Sequence, residues 1–336
     1  MSDFTPEQLI DLTNQRFPVL AGPDMEVMPI LKGGSDRRYF RLLKHGRPVH
    51  IILVRYTDAR QDNACFFPAT EILLDRGVRV PKVYHHDRKR KLAWIEDLGA
   101  LDLWAFQQSP WPQRRELYER TLGEAVKIHR LRAEDLPAHR REALMPAFTE
   151  ELYLWEQNYF FDHFVANFSA LSSPEIRAVR ESEGLVELRR GLGALPRFFV
   201  HRDFQSQNVI IRNGEAFLID YQGLRPGRPE YDVASLLFDP YVTLAPPERD
   251  HLWEFYRSLR PSDEHWETSD EIYARCACQR LMQALGAYGN LSLNLGRSEF
   301  VQHIPLAVQN LRYIIERFGV LAELVPTLSL RKDSVC

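Results

Sequence analysis

Around Gly99 the chain changes from short β-like segments to long amphipathic ones, a division that few architectures accommodate. Before it, EVMPILK (26–32), RRYFRLLK (37–44) and VHIILVRY (49–56) are rich in β-branched and aromatic residues, and KGGSD and KHGRP between them carry turn formers. They predict an antiparallel meander. Ahead of them, TPEQLIDLTNQRF predicts a helix capped by Thr5 with Pro6 in its first position. DNACFFPATEILLDRG predicts a helix stopped by Gly77, and VPKVYHHD and KLAWIEDLG two further strands. Beyond Gly99, residues 111–131, 147–166, 174–191, 230–243, 247–259, 267–289 and 298–323 suit amphipathic helices. The expectation is an α+β, two-lobed fold: a small antiparallel-sheet N-lobe over residues 1–97 and a larger, mainly helical C-lobe over 98–336, joined near 96–100.

With 336 residues, 45% hydrophobic and 26% charged, the chain can bury a core in each lobe and is too polar for a membrane protein. Its 43 basic and 46 acidic side chains leave a net charge of −3, which gives no electrostatic footprint for nucleic acid or an anionic bilayer. Small-molecule chemistry is what remains. MSDFTPEQLIDLTNQRF has neither a basic nor an apolar leader region, and no window reaches ~18 unbroken apolar residues, so the cytoplasm is expected; a monomer is the default. Cys65, Cys276, Cys278 and Cys336 are too few and too unevenly spaced for a disulfide scaffold, and reduced thiols are expected.

One β-like island interrupts the helical half: FFVHRDFQSQNVIIRNGEAFLIDYQG, residues 198–223. NVIIRN and EAFLIDY read as two strands around the turn Arg212-Asn213-Gly214, a tight-hairpin signal. A hairpin of that size brings Asn208, at the head of the first strand, near Asp220, at the tail of the second. Mg²⁺ takes oxygen ligands and is usually completed by substrate phosphates, so one amide and one carboxylate meet its demand. Asp203, in the preceding loop, faces the same space and is placed to accept a proton from a hydroxyl. Phosphoryl transfer needs this set: positioning, metal charge and one base.

H-R-D, an asparagine five residues on and a second aspartate twelve further resemble the catalytic loop and metal aspartate of the protein-kinase-like superfamily. HRDFQSQN with IDYQG in place of D-F-G is similar to the aminoglycoside phosphotransferase family. GGSDRRYFRL, IEDLG, IDYQGLRPGRPEYDVASLLFDPYV and QRLMQALGAYGNL narrow the resemblance to bacterial anomeric N-acetylmuramate/N-acetylglucosamine kinases, over residues 25 to 320. The resemblance implies a two-lobed kinase-like fold, ATP and Mg²⁺ as cofactors and a sugar as acceptor, with a role in cell-wall recycling. It makes Asp203 the catalytic base, Asn208 and Asp220 the Mg²⁺ ligands, and His201 and Arg202 braces of the loop. Asp232 then holds the catalytic loop through backbone N–H groups, or is a first-turn acid favoured by the helix dipole.

Gly33, Gly34 and Ser35, within KGGSD, fit a loop over nucleotide phosphates. Arg37 and Arg38 follow, and strand alternation sends one into the lobe and one toward the loop. VHIILVRY departs from the superfamily, for it has no lysine to pair with phosphate and a helix glutamate. Either Arg55 takes that role, with Glu71 as partner, or the subfamily manages without it. WIEDLG is the expected hinge, with backbone at Glu96 to Leu98 for an adenine edge. Gln222, Arg225, Asp239 and Tyr241 are candidates to line the acceptor pocket. Three functions stand: a sugar 1-kinase, a kinase for an aminoglycoside, choline or similar amine, and a nucleotide-binding pseudokinase. Only nine steps separate Asp220 from Pro229, too few for a peptide-docking activation segment, and this weighs against a protein kinase.

Overall fold

The computed structural model describes residues 4–30, 37–260, 266 and 268–331. Gly33, Gly34 and Ser35, with Lys32, Asp36 and Cys336, lie outside them. The N-terminal helix α1 (Pro6–Arg16) is capped by Thr5, whose side chain accepts from the Gln8 N–H. Strands β1 (Met25–Ile30), β2 (Arg38–Lys44) and β3 (Arg47–Arg55) form a meander; helix α2 (Gln61–Asp75) follows, then β4 (Val83–Asp87) and β5 (Leu92–Glu96). The sheet is antiparallel in the order β1-β2-β3-β5-β4, so the chain passes over through α2 before β5 inserts beside β3.

Strand parity divides the sheet's side chains between two cores. Leu42, Ile51, Leu53, Leu92 and Trp94 pack with Leu9 of α1 on one face, where the Trp94 indole N–H donates to Thr13 Oγ1 at 3.0 Å. Val54, Ala93 and Ile95, with Tyr39, Ile52, Phe66 and Phe67, form the other, toward α2.

The C-terminal part begins with α3 (Trp111–His129), α4 (Ala138–Glu142) and α5 (Glu150–Phe160), which runs through a π-helical turn at Phe161–Val165 into α6 (Ala166–Phe168). Helices α7 (Ser173–Arg180) and α8 (Glu183–Ala194) occupy the stretch expected as one helix; Ser182, in an extended conformation, starts the second. Two short antiparallel ribbons follow, β6 (Phe198–Val200) with β9 (Arg225–Gly227), and β7 (Val209–Arg212) with β8 (Glu215–Leu218). Asn213 and Gly214 both have positive φ, as the tight hairpin turn requires. Helix α9 (Pro229–Leu237) stops short of residue 243 because Asp239-Pro240 cannot continue it. Helices α10 (Pro246–Leu259), α11 (Asp270–Leu293) and α12 (Ile304–Phe318) complete the bundle, and left-handed Gly319 ends α12 before the expected residue 323.

Gly286 and Gly289 of α11 let it close on the π-helical turn. A Cβ on Gly286 would stand 2.9 Å from the Phe160 nitrogen, and one on Gly289 would collide with the His163 carbonyl. Cys65, Cys276 and Cys278 are buried free thiols. Among the described residues no helix is long and apolar enough to cross a membrane.

Candidate active site

The cleft-facing parity of the sheet, the end of β5 and the two ribbons together enclose a cleft of about 880 Å³. Asp203, Asn208, Asp220, Arg202, Gln222, Arg225, Glu96 and Leu98 all line it.

The loop that carries Asp203 owes its shape to a buried carboxylate behind it. Asp232, in the first turns of α9, accepts from the N–H groups of His201 at 2.6 Å and Arg202 at 2.8 Å, and lies 3.1 Å from His129 Nε2. His129 Nδ1 is in turn 2.8 Å from the Tyr256 hydroxyl. The His201 ring is fully buried, with Nε2 donating to the Ile219 carbonyl at 3.0 Å, and so links the loop to the strand that delivers Asp220. Asp239 braces the loop from the far side, accepting from Ser206 N–H at 2.8 Å and Ser206 Oγ at 2.5 Å.

Arg202 takes a positive φ of 81° and turns one terminal nitrogen to both Asp203 oxygens, at 2.8 and 2.7 Å. Burial by itself raises the Asp203 pKa; the charges of Arg202 and Arg280 and the Arg202 hydrogen bonds outweigh it and hold the carboxyl at about 2. The side chain remains 27% exposed, toward the cleft.

Asn208 donates its amide nitrogen to the Asp203 carbonyl at 2.9 Å, which leaves its oxygen as the free end of the amide. Ile219 N–H donates to the Asn208 carbonyl at 3.0 Å, so the hairpin closes with Asn208 and Asp220 at one end. Asp220 is left-handed (φ 62°, ψ 32°) and accepts from Arg37 at 2.7 Å and from Gln222 Nε2 at 3.1 Å. Tyr221, buried where D-F-G has Phe, stacks on Phe66 and shares a 2.8 Å hydrogen bond with Thr70, clipping α2 to the segment. One part-exposed carboxylate beside one amide oxygen fits Mg²⁺ completed by nucleotide phosphates.

At the end of β5, Asp97 is gripped by Arg41 through two bonds of 2.6 and 2.9 Å, and Glu96 by Arg212 at 2.8 Å. The N–H groups of Glu96 and Asp97 donate within the lobe, to the Lys82 and His50 carbonyls.

Four expected site residues lie elsewhere. Arg55 shares its parity with Ile51 and Leu53, which puts it on the α1 side of the sheet over the Phe4 ring at 5.7 Å; the cleft-side positions are Ile52 and Val54. Glu71 is exposed on α2, outside the cleft lining. Asp239 is 1% exposed beneath the catalytic loop, because the Asp239-Pro240 turn directs it there. The Tyr241 ring packs edge-on against His303, 4.4 Å away, behind the cleft wall. The cation that does reach Asp220 is Arg37, just ahead of β2, and the Arg37-Arg38 alternation was the signal for it. The Arg41–Asp97 and Ser206–Asp239 pairs had no local signal, each joining residues more than 30 apart.

Two relatives match nearly end to end. An N-acetylmuramate/N-acetylglucosamine kinase of Neisseria meningitidis serogroup B is 26% identical over 96% of this chain and 95% of its own. One of Pseudomonas aeruginosa is 23% identical over 90% and 87%. Among solved structures, ADP-bound aminoglycoside phosphotransferase APH(2″)-Ib superposes with a TM-score of 0.62 at 11% identity, covering 92% of this chain and 99% of that one. Choline kinase LicA from Streptococcus pneumoniae gives 0.59 at 14% identity, covering 90% and 99%. These likenesses establish the protein-kinase-like fold. The family model described as "Phosphotransferase enzyme family" matches residues 26–271, most of the chain, and the chain is therefore an enzyme belonging to that phosphotransferase family.

Proposed function

We propose that the chain is an ATP-dependent kinase that phosphorylates the anomeric hydroxyl of an N-acetylated amino sugar, acting in the cytoplasm in cell-wall recycling. The carrying observation is the convergence of Asp203, Asn208 and Asp220 on one cleft floor, in a chain whose relatives are named N-acetylmuramate/N-acetylglucosamine kinases.

In this reading Asp220 and the Asn208 amide oxygen hold Mg²⁺. When bound, the ion supplies positive charge against that developing on the transferred phosphoryl group. Asp203 accepts a hydrogen bond from the acceptor hydroxyl and aligns it for attack. A carboxyl held at about 2 is a weak base, so the proton reaches Asp203 late, as the new O–P bond forms. Arg202 keeps that carboxylate ionised and fixed. Arg37 supplies the positive charge that the strand lysine gives other kinases, reaching Asp220 and the phosphate end of the cleft from the residue ahead of β2 instead of from β3. The adenine edge meets the backbone from Glu96 to Leu98, with the Leu98 N–H as the donor, since those of Glu96 and Asp97 are engaged within the lobe.

A cationic amine as acceptor is disfavoured by Arg225, which lines the cleft without a carboxylate partner among the described residues. A pseudokinase reading is disfavoured by the complete set of Asp203, Asn208 and Asp220.

The test is ADP release from Mg²⁺-ATP with N-acetylmuramate, N-acetylglucosamine, kanamycin and choline, and phosphorus NMR of the product. An acid-labile sugar phosphate without a reducing end is expected. Turnover confined to kanamycin or choline, or nucleotide binding without turnover of any acceptor, would overturn the proposal.

A further inference from the structure

Arg225 opens β9 opposite Val200, three residues before Asp203, and lines the same cleft. It is 9% exposed, yet only its Nε has a hydrogen-bond partner among the described residues, the Gly223 carbonyl at 3.0 Å. The guanidinium lies over the Phe148 ring at 5.5 Å. Neither terminal nitrogen donates to any described residue, and no described carboxylate comes within ion-pair distance.

Other enclosed arginines each have a carboxylate or two oxygen acceptors. Arg37 meets Asp220, Arg228 meets Glu230, and Arg202 meets Asp203. Arg249 and Arg280 have no carboxylate either, but each places two nitrogens on oxygen acceptors. Glu156 is engaged by Tyr231 and Gln279.

A buried guanidinium without a counter-ion is costly to keep. Burial first, and the repulsion of Arg202 second, push the Arg225 pKa down from its ordinary value. The charges of Glu156 and Asp203 offset this only in part, and neither forms an ion pair with Arg225: Asp203 is paired with Arg202, and Glu156 is engaged by Tyr231 and Gln279. Arg37 pairs with Asp220, one of the two proposed metal ligands; Arg225 stands on the β6–β9 ribbon over Phe148, and lines the cleft together with Met145 and Gln222.

We propose that Arg225 is the specificity-determining residue of the acceptor site, an anion receptor for a carboxylate on the sugar, so that the enzyme favours a carboxylated amino sugar over its neutral counterpart. This rests on the sugar-kinase reading and names the acceptor class within it. The planar fork of two terminal nitrogens matches a carboxylate through parallel hydrogen bonds. A site built around such a group discriminates against an analogue that leaves it unpaired.

The experiment compares kcat and KM for N-acetylmuramate and N-acetylglucosamine in wild type, Arg225→Gln and Arg225→Lys, with melting temperatures alongside. Wild type should prefer the carboxylated sugar. In Arg225→Gln, kcat/KM for that sugar should fall about 10- to 100-fold, mainly through KM, the scale of a hydrogen bond to a charged group. The neutral sugar should lose less, so that the preference collapses, and Arg225→Lys should restore part of it. Melting should fall only slightly, and about equally, in Arg225→Gln and Arg225→Lys, because both lose the Nε bond to Gly223 and the guanidinium over Phe148 but no ion pair; a large melting loss would be a structural effect. An unmoved preference with both sugars turned over would overturn this inference and leave the sugar-kinase reading intact. So would a rise in the KM for Mg²⁺-ATP at constant preference, or a large melting loss in both variants, which would assign a nucleotide or structural role. Turnover of neither sugar by wild type would overturn both.

Discussion

At the catalytic loop, Asp232 accepts from two consecutive main-chain N–H groups and faces His129, so one fully buried carboxylate fixes where the segment carrying Asp203 begins. Asp232→Ala orphans those donors in a site without water access, which should cost about 3 kcal/mol in urea denaturation. It should also lower kcat, because the loop loses its register; a variant with wild-type stability would refute the bracing role. Asp203, Asn208 and Asp220 were legible in the sequence because their geometry is local: a two-residue turn sets the hairpin register, and the register sets which residues meet. Asp239 and Tyr241 were not, since the side of a helix end on which a residue emerges depends on packing against other elements. Arg55 was placed by proximity in sequence to the usual lysine strand, and strand parity, readable from Ile51 and Leu53, puts it on the other face.

Elements position the site through close contacts that a single atom can break. Helix α11 reaches the π-helical turn only because Gly286 and Gly289 have no side chains there. Gly289→Ala should destabilise the protein by about 3 kcal/mol, an overpacking cost read from the urea midpoint, whereas an exposed helical glycine replaced by Ala would be stabilised. On the N-terminal side, His86 of β4 stacks on Phe67 of α2 at 3.4 Å and its Nε2 lies 2.5 Å from the Tyr56 hydroxyl. Burial, then the charge of Arg88, pushes its pKa from 6.5 to about 4. The folded state thus prefers neutral His86 and the unfolded chain binds the proton first. Stability should therefore fall as pH drops from about 6.5 to about 4. His86→Phe should flatten that part of the melting-temperature profile; an unchanged slope would assign it to other groups. The strands and most helices were legible from period and turn chemistry, while the breaks at Ser182, Pro240 and Gly319 sat inside amphipathic stretches whose periodicity runs on past them.

For the whole molecule, the division at Gly99 foretold a five-stranded antiparallel sheet followed by a helical bundle, and the sheet's last strand ends at Glu96. The cleft joins both parts: Tyr39, Ile52 and Ile95 come from the sheet, and Asp203, Asn208 and Asp220 from the ribbons beneath it. Of the four residues expected to line the cleft beyond Asp220, Gln222 and Arg225 do so, while Asp239 and Tyr241 lie behind it. The central claim is that this cleft transfers phosphoryl groups with Asp203 as the group that receives the acceptor's proton. Steady-state ADP release by wild type and Asp203→Asn, at saturating Mg²⁺-ATP and N-acetylated amino sugar, tests it most directly. The predicted result is a kcat reduced about 10²- to 10⁴-fold with little change in the KM for Mg²⁺-ATP; near-wild-type turnover by the variant would contradict it.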